Sequence, residues 1–269
     1  MHKPITLSTC AFPVSPSDRD GVAKHFDMAM EAGFDGFELA MVPMESSGIL
    51  RDAALACGAK VVAIHGMLDG DSCSPDPAKR AASAEKAWRY LEEFAGFAPS
   101  PIVEHYHNRF NDLSRGEYFR DAVAQLLEKT EAAGYTFCME NAPYKPEYDE
   151  RFPPVAEIAD FARSFGENRM FMTFDLNHAN LHEDPVEVAA QNAQLVRHIH
   201  VSDNQGHREQ HMLPGMGVID FKAVLSALYN NGYDGPCNLE VVFPQGAAVD
   251  VNAYRQVYEY MKNIEISGE

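Results

Sequence analysis

Basic side chains are scarce in this sequence: 22 Lys and Arg stand against 40 Asp and Glu in 269 residues, a formal charge of −18. Proteins that track phosphate backbones cluster Lys and Arg, and no basic run is visible here, so nucleic acid is not an expected partner. The acidic balance itself accounts for solubility. Long apolar runs are also missing; nothing approaches the ~20 uninterrupted residues of a membrane span. The N-terminus, MHKPITLSTCAF, lacks the basic start and long apolar stretch of a secretory signal. The five cysteines are dispersed without a C-x-x-C pair, which reads as reduced thiols in a cytoplasmic protein. No linker or low-complexity segment divides the chain, so one domain spanning 1–269 is expected.

What is present is a regular alternation. Short runs rich in β-branched and aromatic residues recur at Ile5–Cys10, Gly36–Ala40, Lys60–Gly66, Pro101–His107, Tyr135–Asn141, Met170–Asn177, Val196–Asp203 and Cys237–Phe243. Amphipathic stretches lie between them, among them Asp18–Ala32, Pro77–Phe94, Glu117–Ala133, Pro154–Phe165, Phe221–Asn231 and Val251–Lys262. Strands separated by helical patterns imply βαβ units and a parallel sheet. Gly33-Phe34-Asp35-Gly36 and Gly232-Tyr233-Asp234-Gly235 are nearly the same helix-to-strand junction, as a repeated unit would give. Eight such units, and no glycine-rich phosphate loop after the first strand, favour a closed (β/α)8 TIM barrel of α/β class over a doubly wound open sheet. Trp88 and Tyr90 fall in a helical pattern and read as packing.

In such a barrel the functional residues sit at the C-terminal ends of the strands. Strand five ends Cys138-Met139-Glu140-Asn141 and strand six ends Asp175-Leu176-Asn177-His178. Strand seven runs His198-Ile199-His200, and strand eight holds Glu240. Carboxylates buried at apolar strand ends are costly unless something positive pairs with them. A local hydrogen bond would explain any one of these residues alone. For all four on consecutive strands, a divalent metal held by Glu140, Asp175, His200 and Glu240 is the better account. An oxygen-rich set with one nitrogen suits Mn²⁺, Mg²⁺, Co²⁺ or Zn²⁺. His198 and His200 share a face; His200 is nearer the C-terminal end and is taken as the ligand, with His198 left as an interior or supporting residue.

These motifs, together with Pro214-Gly215-Met216-Gly217-Val218-Ile219-Asp220-Phe221, resemble the xylose isomerase-like barrels. That superfamily includes ketose 3-epimerases, hydroxypyruvate isomerase, inosose dehydratase and endonuclease IV. The likeness covers nearly the whole chain, with its specific motifs after residue 135. It implies a metal-dependent isomerase or epimerase of a small keto- or hydroxy-sugar, with Glu140 and Glu240 as the acid–base pair and His178 touching substrate. Such chemistry is physically coherent: one carboxylate removes a proton beside a carbonyl, a Lewis acid polarises the oxygen, and the second carboxylate serves the other carbon or face. In the epimerase branch an arginine after strand seven contacts substrate, which makes Arg208 a candidate, although the loop here is longer.

The other polar strand ends, Glu38, His65 and Glu104-His105-Tyr106-His107, suggest a hydroxyl-rich ligand in the mouth. Alternation leaves open whether His105 or His107 faces it without the register; Glu38, His65 and His107 are carried as substrate-binding candidates with His211. Three further readings use the same residues. A polyol dehydratase or lyase would start with the same proton removal. In an endonuclease IV-like abasic-site nuclease, His65, a strand-four histidine and Glu209-Gln210-His211 would hold further zinc ions. A non-catalytic sugar-binding barrel would need no opposed glutamate pair. A homo-oligomer is left open by the sequence.

Overall fold

In a computed structural model, which describes residues 3–109, 112, 114–143 and 151–266, eight parallel strands close into a barrel in chain order, with β1 pairing β8. They are β1 (Ile5–Ser8), β2 (Gly36–Leu39), β3 (Val61–His65), β4 (Pro101–His105), β5 (Thr136–Glu140), β6 (Met170–Asp175), β7 (Val196–Val201) and β8 (Cys237–Leu239). The ends of the expected 1–269 domain, residues 1–2 and 267–269, lie outside the described residues. Several strands stop earlier than their apolar runs suggest. At β1 the chain turns into a 3-10 segment at Thr9–Ala11, and β4 stops at His105. The polar residues that follow are therefore lip rather than wall.

The helices form because one face of each is apolar at helical spacing. In α5 (Val155–Arg163) the buried residues are Val155, Ile158, Ala159 and Ala162. The same i, i+3, i+4, i+7 pattern recurs as Phe221, Val224, Leu225 and Leu228 in α8 (Phe221–Asn230), and as Tyr254, Val257, Tyr258 and Met261 in α9 (Val251–Lys262). The remaining helices are α1 (Arg19–Ala32), α2 (Met44–Ala56), α3 (Pro77–Glu92), α4 (Ser114–Ala132), the single turn α6 (Leu176–Ala179) and α7 (Pro185–Asn192). The sequence marked α2 only at its end, through Gly58, and left α7 unmarked: α2 carries Gly48 and starts without a side-chain cap, and α7 spans eight residues.

Part of the acid excess has a local use. Asp18, Asp76, Asp184, Asp220 and Asp250 each accept a backbone N–H at the start of α1, α3, α7, α8 and α9. An aspartate there satisfies an orphan donor and complements the positive end of the helix dipole. The repeated junction tetrapeptides open on Gly33 and Gly232, whose φ angles of 116° and 115° are a left-handed conformation that a side chain would strain.

Candidate metal centre

Strands β5 to β8 end side by side. Glu140 closes β5, Asp175 closes β6, His200 is next to last in β7, and Glu240 directly follows β8. One ligand atom from each of these four lies within 4.8 Å of the others. His200 Nδ1 stands 2.9 Å from Glu140 Oε1, 3.2 Å from Glu240 Oε2 and 3.8 Å from Asp175 Oδ2. The side chains of Glu140, Asp175 and His200 are sealed from solvent, and only Glu240 reaches it, at 13% exposure.

Three carboxylates in so dry a place need a positive partner. Burial opposes ionisation of Glu140, but the His200 and His105 imidazoles beside it win and hold its carboxyl well below the usual range. Asp175 goes the other way. Burial, reinforced by the Glu140 and Glu240 charges, outweighs His178 and lifts it to about 6. Its Oδ1 accepts the His178 backbone N–H at 2.9 Å, while Oδ2 has no hydrogen-bond partner among the described residues. A divalent cation fits this set: three carboxylates and one imidazole are hard or borderline donors, and an orphaned oxygen faces the shared space.

The neighbouring backbone is held in place. Asn141 donates from Nδ2 to Asp175 O at 2.9 Å and accepts from Asp175 N at 2.8 Å, so one amide side chain locks the end of β6 against β5. The sequence marked Asn141 only as part of a strand end, and no motif spacing points to this clamp.

Two histidine groups flank the four. On one side Glu140 Oε2 lies 3.2 Å from His105 Nε2 and 3.5 Å from His65 Nε2, and His65, His105 and Glu140 form a second group with metal-ligand spacing. Burial opposes protonation of His65, yet the Glu140 carboxylate beside it and the other carboxylates nearby raise it to about 9. On the other side Glu209 Oε1 is 3.1 Å from His211 Nε2 and 3.5 Å from His178 Nε2. There, too, the carboxylates outweigh burial, raising His178 to about 9 and His211 to about 10.

Residues 26–264 match the family described as Xylose isomerase-like TIM barrel. The chain belongs to that family. Among curated relatives, Uncharacterized protein MJ1311 of Methanocaldococcus jannaschii is 27% identical over 164 residues, covering 58% of this chain and 53% of that one; the chain thus spans about half the length of this relative. Three solved structures are similar in fold. A D-tagatose 3-epimerase-like protein has a TM-score of 0.77 at 18% identity, covering 98% of this chain and 97% of its own. The 3-keto-D-glucoside 4-epimerase YcjR from E. coli has a TM-score of 0.76 at 20% identity, covering 97% and 99%. D-allulose 3-epimerase from Methylomonas sp., in complex with D-allulose, has a TM-score of 0.76 at 16% identity, covering 98% and 98%. At these identities the likenesses speak for the fold.

Within this xylose isomerase-like barrel, the residues singled out in the sequence are distributed unevenly. Glu140, Asp175, His200 and Glu240 come together, with His178, His65 and His211 around them. The register places His105, rather than His107, against Glu140; His107 lies beyond the end of β4 with Nε2 2.8 Å from the Leu68 carbonyl. Glu38 is fully buried in the barrel interior, on the far side of His200 from the other carboxylates. Arg208 is exposed on the loop after β7. Among the described residues no helix is long and apolar enough to cross a membrane.

Proposed function

We propose that this protein is a metal-dependent isomerase or epimerase acting on a small keto- or hydroxy-sugar. The observation that carries the reading is the convergence of Glu140, Asp175, His200 and Glu240 within 4.8 Å, with two glutamates in the set. A divalent cation seated there would supply Lewis acidity to a substrate carbonyl or hydroxyl oxygen. Glu240, the member open to the mouth, removes or returns a proton at the carbon beside the carbonyl. Glu140 does the same at the neighbouring carbon or the opposite face. His178 and His211 supply N–H donors for substrate hydroxyls, and Glu240, partly open to solvent, can trade its proton with water between turnovers. The structural likeness to sugar epimerases and an epimerase-like protein agrees with this class of substrate.

The test is incubation of the Mn²⁺-loaded protein with a broad panel of ketoses in heavy water. Deuterium should appear on a substrate carbon, and Glu240→Gln should slow its uptake by about 10²–10⁴-fold. No carbon deuteration across the panel would overturn the reading. A polyol dehydratase or lyase begins with the same proton removal and would be recognised by its dehydrated or cleaved product.

A second reading is favoured by one observation: His65, His105 and Glu140 share a ligand with the four-residue set, and Glu209 with His178 and His211 stands opposite. Several cations in a row would suit hydrolysis of a phosphodiester at an abasic site. The charge of −18 weighs against binding a polyanion. Nicking of an abasic duplex by the pure protein, abolished by Glu140→Ala, would establish this second reading; an intact duplex would dismiss it.

A further inference from the structure

Glu38 belongs to β2 and His198 and His200 to β7. These strands are not neighbours, so the three side chains meet across the inside of the barrel. Glu38 Oε2 lies 2.7 Å from His198 Nε2 and 2.7 Å from His200 Nε2, and all three residues are fully buried. One carboxyl oxygen, Oε2, thus meets both ring nitrogens, while Oε1 has no hydrogen-bond partner among the described residues. An oxygen shared between two imidazole nitrogens in this way is placed as a carboxylate acceptor, with each histidine presenting an N–H to it.

That requirement sets the state of His200. A neutral imidazole has one N–H. With the proton on Nδ1, the Nε2 lone pair would point at the Glu38 carboxylate at 2.7 Å, which is repulsive. With the proton on Nε2, the Nδ1 lone pair points at Glu140 Oε1, Glu240 Oε2 and Asp175 Oδ2. This second arrangement is attractive throughout once a cation sits among those oxygens.

We propose that Glu38 is a positioning residue that holds His200 with its proton on Nε2 and its Nδ1 lone pair turned to the cation, while His198 anchors Glu38 from beside. The proposal rests on the metal reading above. Partners of this kind orient a ligand imidazole and raise its basicity, and their loss commonly weakens metal affinity 10–100-fold. Glu38 does not touch substrate: it lies behind His200, closed off from the mouth. Its place among the polar strand ends comes from acting through a ligand.

The test is a double-mutant cycle on Co²⁺ affinity by calorimetry, using wild type, Glu38→Gln, His200→Ala and the double variant. Gln keeps the volume of Glu and removes the charge. Glu38→Gln should weaken Co²⁺ binding by about 10–100-fold, yet cost nothing further once His200 is gone. Unchanged affinity, or losses that add in the double variant, would overturn the proposal. Wild type that binds no Co²⁺ would instead sink the metal reading and this proposal with it. A second measurement needs no Glu38 variant: ¹⁵N-histidine NMR of the Zn²⁺-loaded wild type, with His200 assigned from His200→Ala. It should find the His200 proton on Nε2; a proton on Nδ1 would overturn the proposal.

Discussion

Asp175 divides its two oxygens between structure and chemistry. Oδ1 caps the single turn α6 through the His178 N–H, and Oδ2 faces Glu140, His200 and Glu240. Asp175→Asn should therefore separate the two roles. Asparagine caps a helix about as well as aspartate, so the metal-free variant should melt near the wild-type temperature. Without the charge, Mn²⁺ affinity should fall at least tenfold in calorimetry; unchanged affinity would remove Asp175 from the ligand set. Asp175 was legible in the sequence because a carboxylate at the end of an apolar strand stands out, as do Glu140 and Glu240. His105 and Glu38 were not placed that way. Period-two alternation says which face a residue shares with its neighbours, and two residues apart, His105 and His107 share one. How far along the barrel axis each lies depends on the register and on where the strand stops. The same gap hid the depth of Glu38.

The loop between β7 and α8 owes its shape to Asp203. This fully buried carboxylate accepts backbone N–H groups from Asn204 at 2.9 Å, Gly215 at 3.0 Å, Gly217 at 2.8 Å and Ile219 at 3.2 Å. Backbone bonds between Asp203 and Met212 in both directions close the same loop. A Cβ at Gly217 would come within 2.2 Å of Asn204 O and 2.3 Å of Asp203 Oδ1, so glycine is needed there for the close approach. Glu209 and His211 ride on the loop so gathered. Hydrogen bonds to a charged group contribute about 1.5–3 kcal/mol each, and buried amides left without an acceptor cost as much again. Asp203→Ala should therefore lower stability by at least about 2 kcal/mol in chemical denaturation and open residues 204–218 to protease, while a resistant loop would contradict this account. Gly215 and Gly217 were visible in the sequence, but their acceptor, 12 and 14 residues upstream, was not.

Where α1 packs on α9, His25 Nδ1 lies 2.9 Å from Tyr254 Oη, with the Phe12 ring stacked on the imidazole at 5.5 Å. Burial, helped by the charge of Lys24, lowers the His25 pKa below its usual 6.5. A depressed histidine favours folding while neutral. Stability is then held above pH about 6.5, where the unfolded histidine is also neutral, and declines as pH falls below it because the unfolded chain takes up the proton more readily. His25→Gln should reduce the drop in melting temperature between pH 8 and pH 5.5 relative to wild type. An equal drop in both proteins would show that His25 does not contribute.

For the whole molecule, eight strands alternating with amphipathic helices determine a barrel, and the barrel brings to one rim residues from Glu140 to Glu240 that lie far apart in sequence. This architecture could be read because each unit repeats a local pattern, down to the matching junctions at Gly33 and Gly232. The helix left unmarked, α7, spans only eight residues, and α2 shows only the glycine past its end, Gly58; short or weakly started helices draw their stability from packing on their neighbours. The central claim is that the barrel rim seats a divalent cation among Glu140, Asp175, His200 and Glu240. Crystals grown with Mn²⁺ and measured for anomalous scattering test it most directly. The account predicts a peak enclosed by these four side chains, with ligand atoms drawn in to about 2.0–2.3 Å. No peak there, or Mn²⁺ bound only elsewhere, would contradict it.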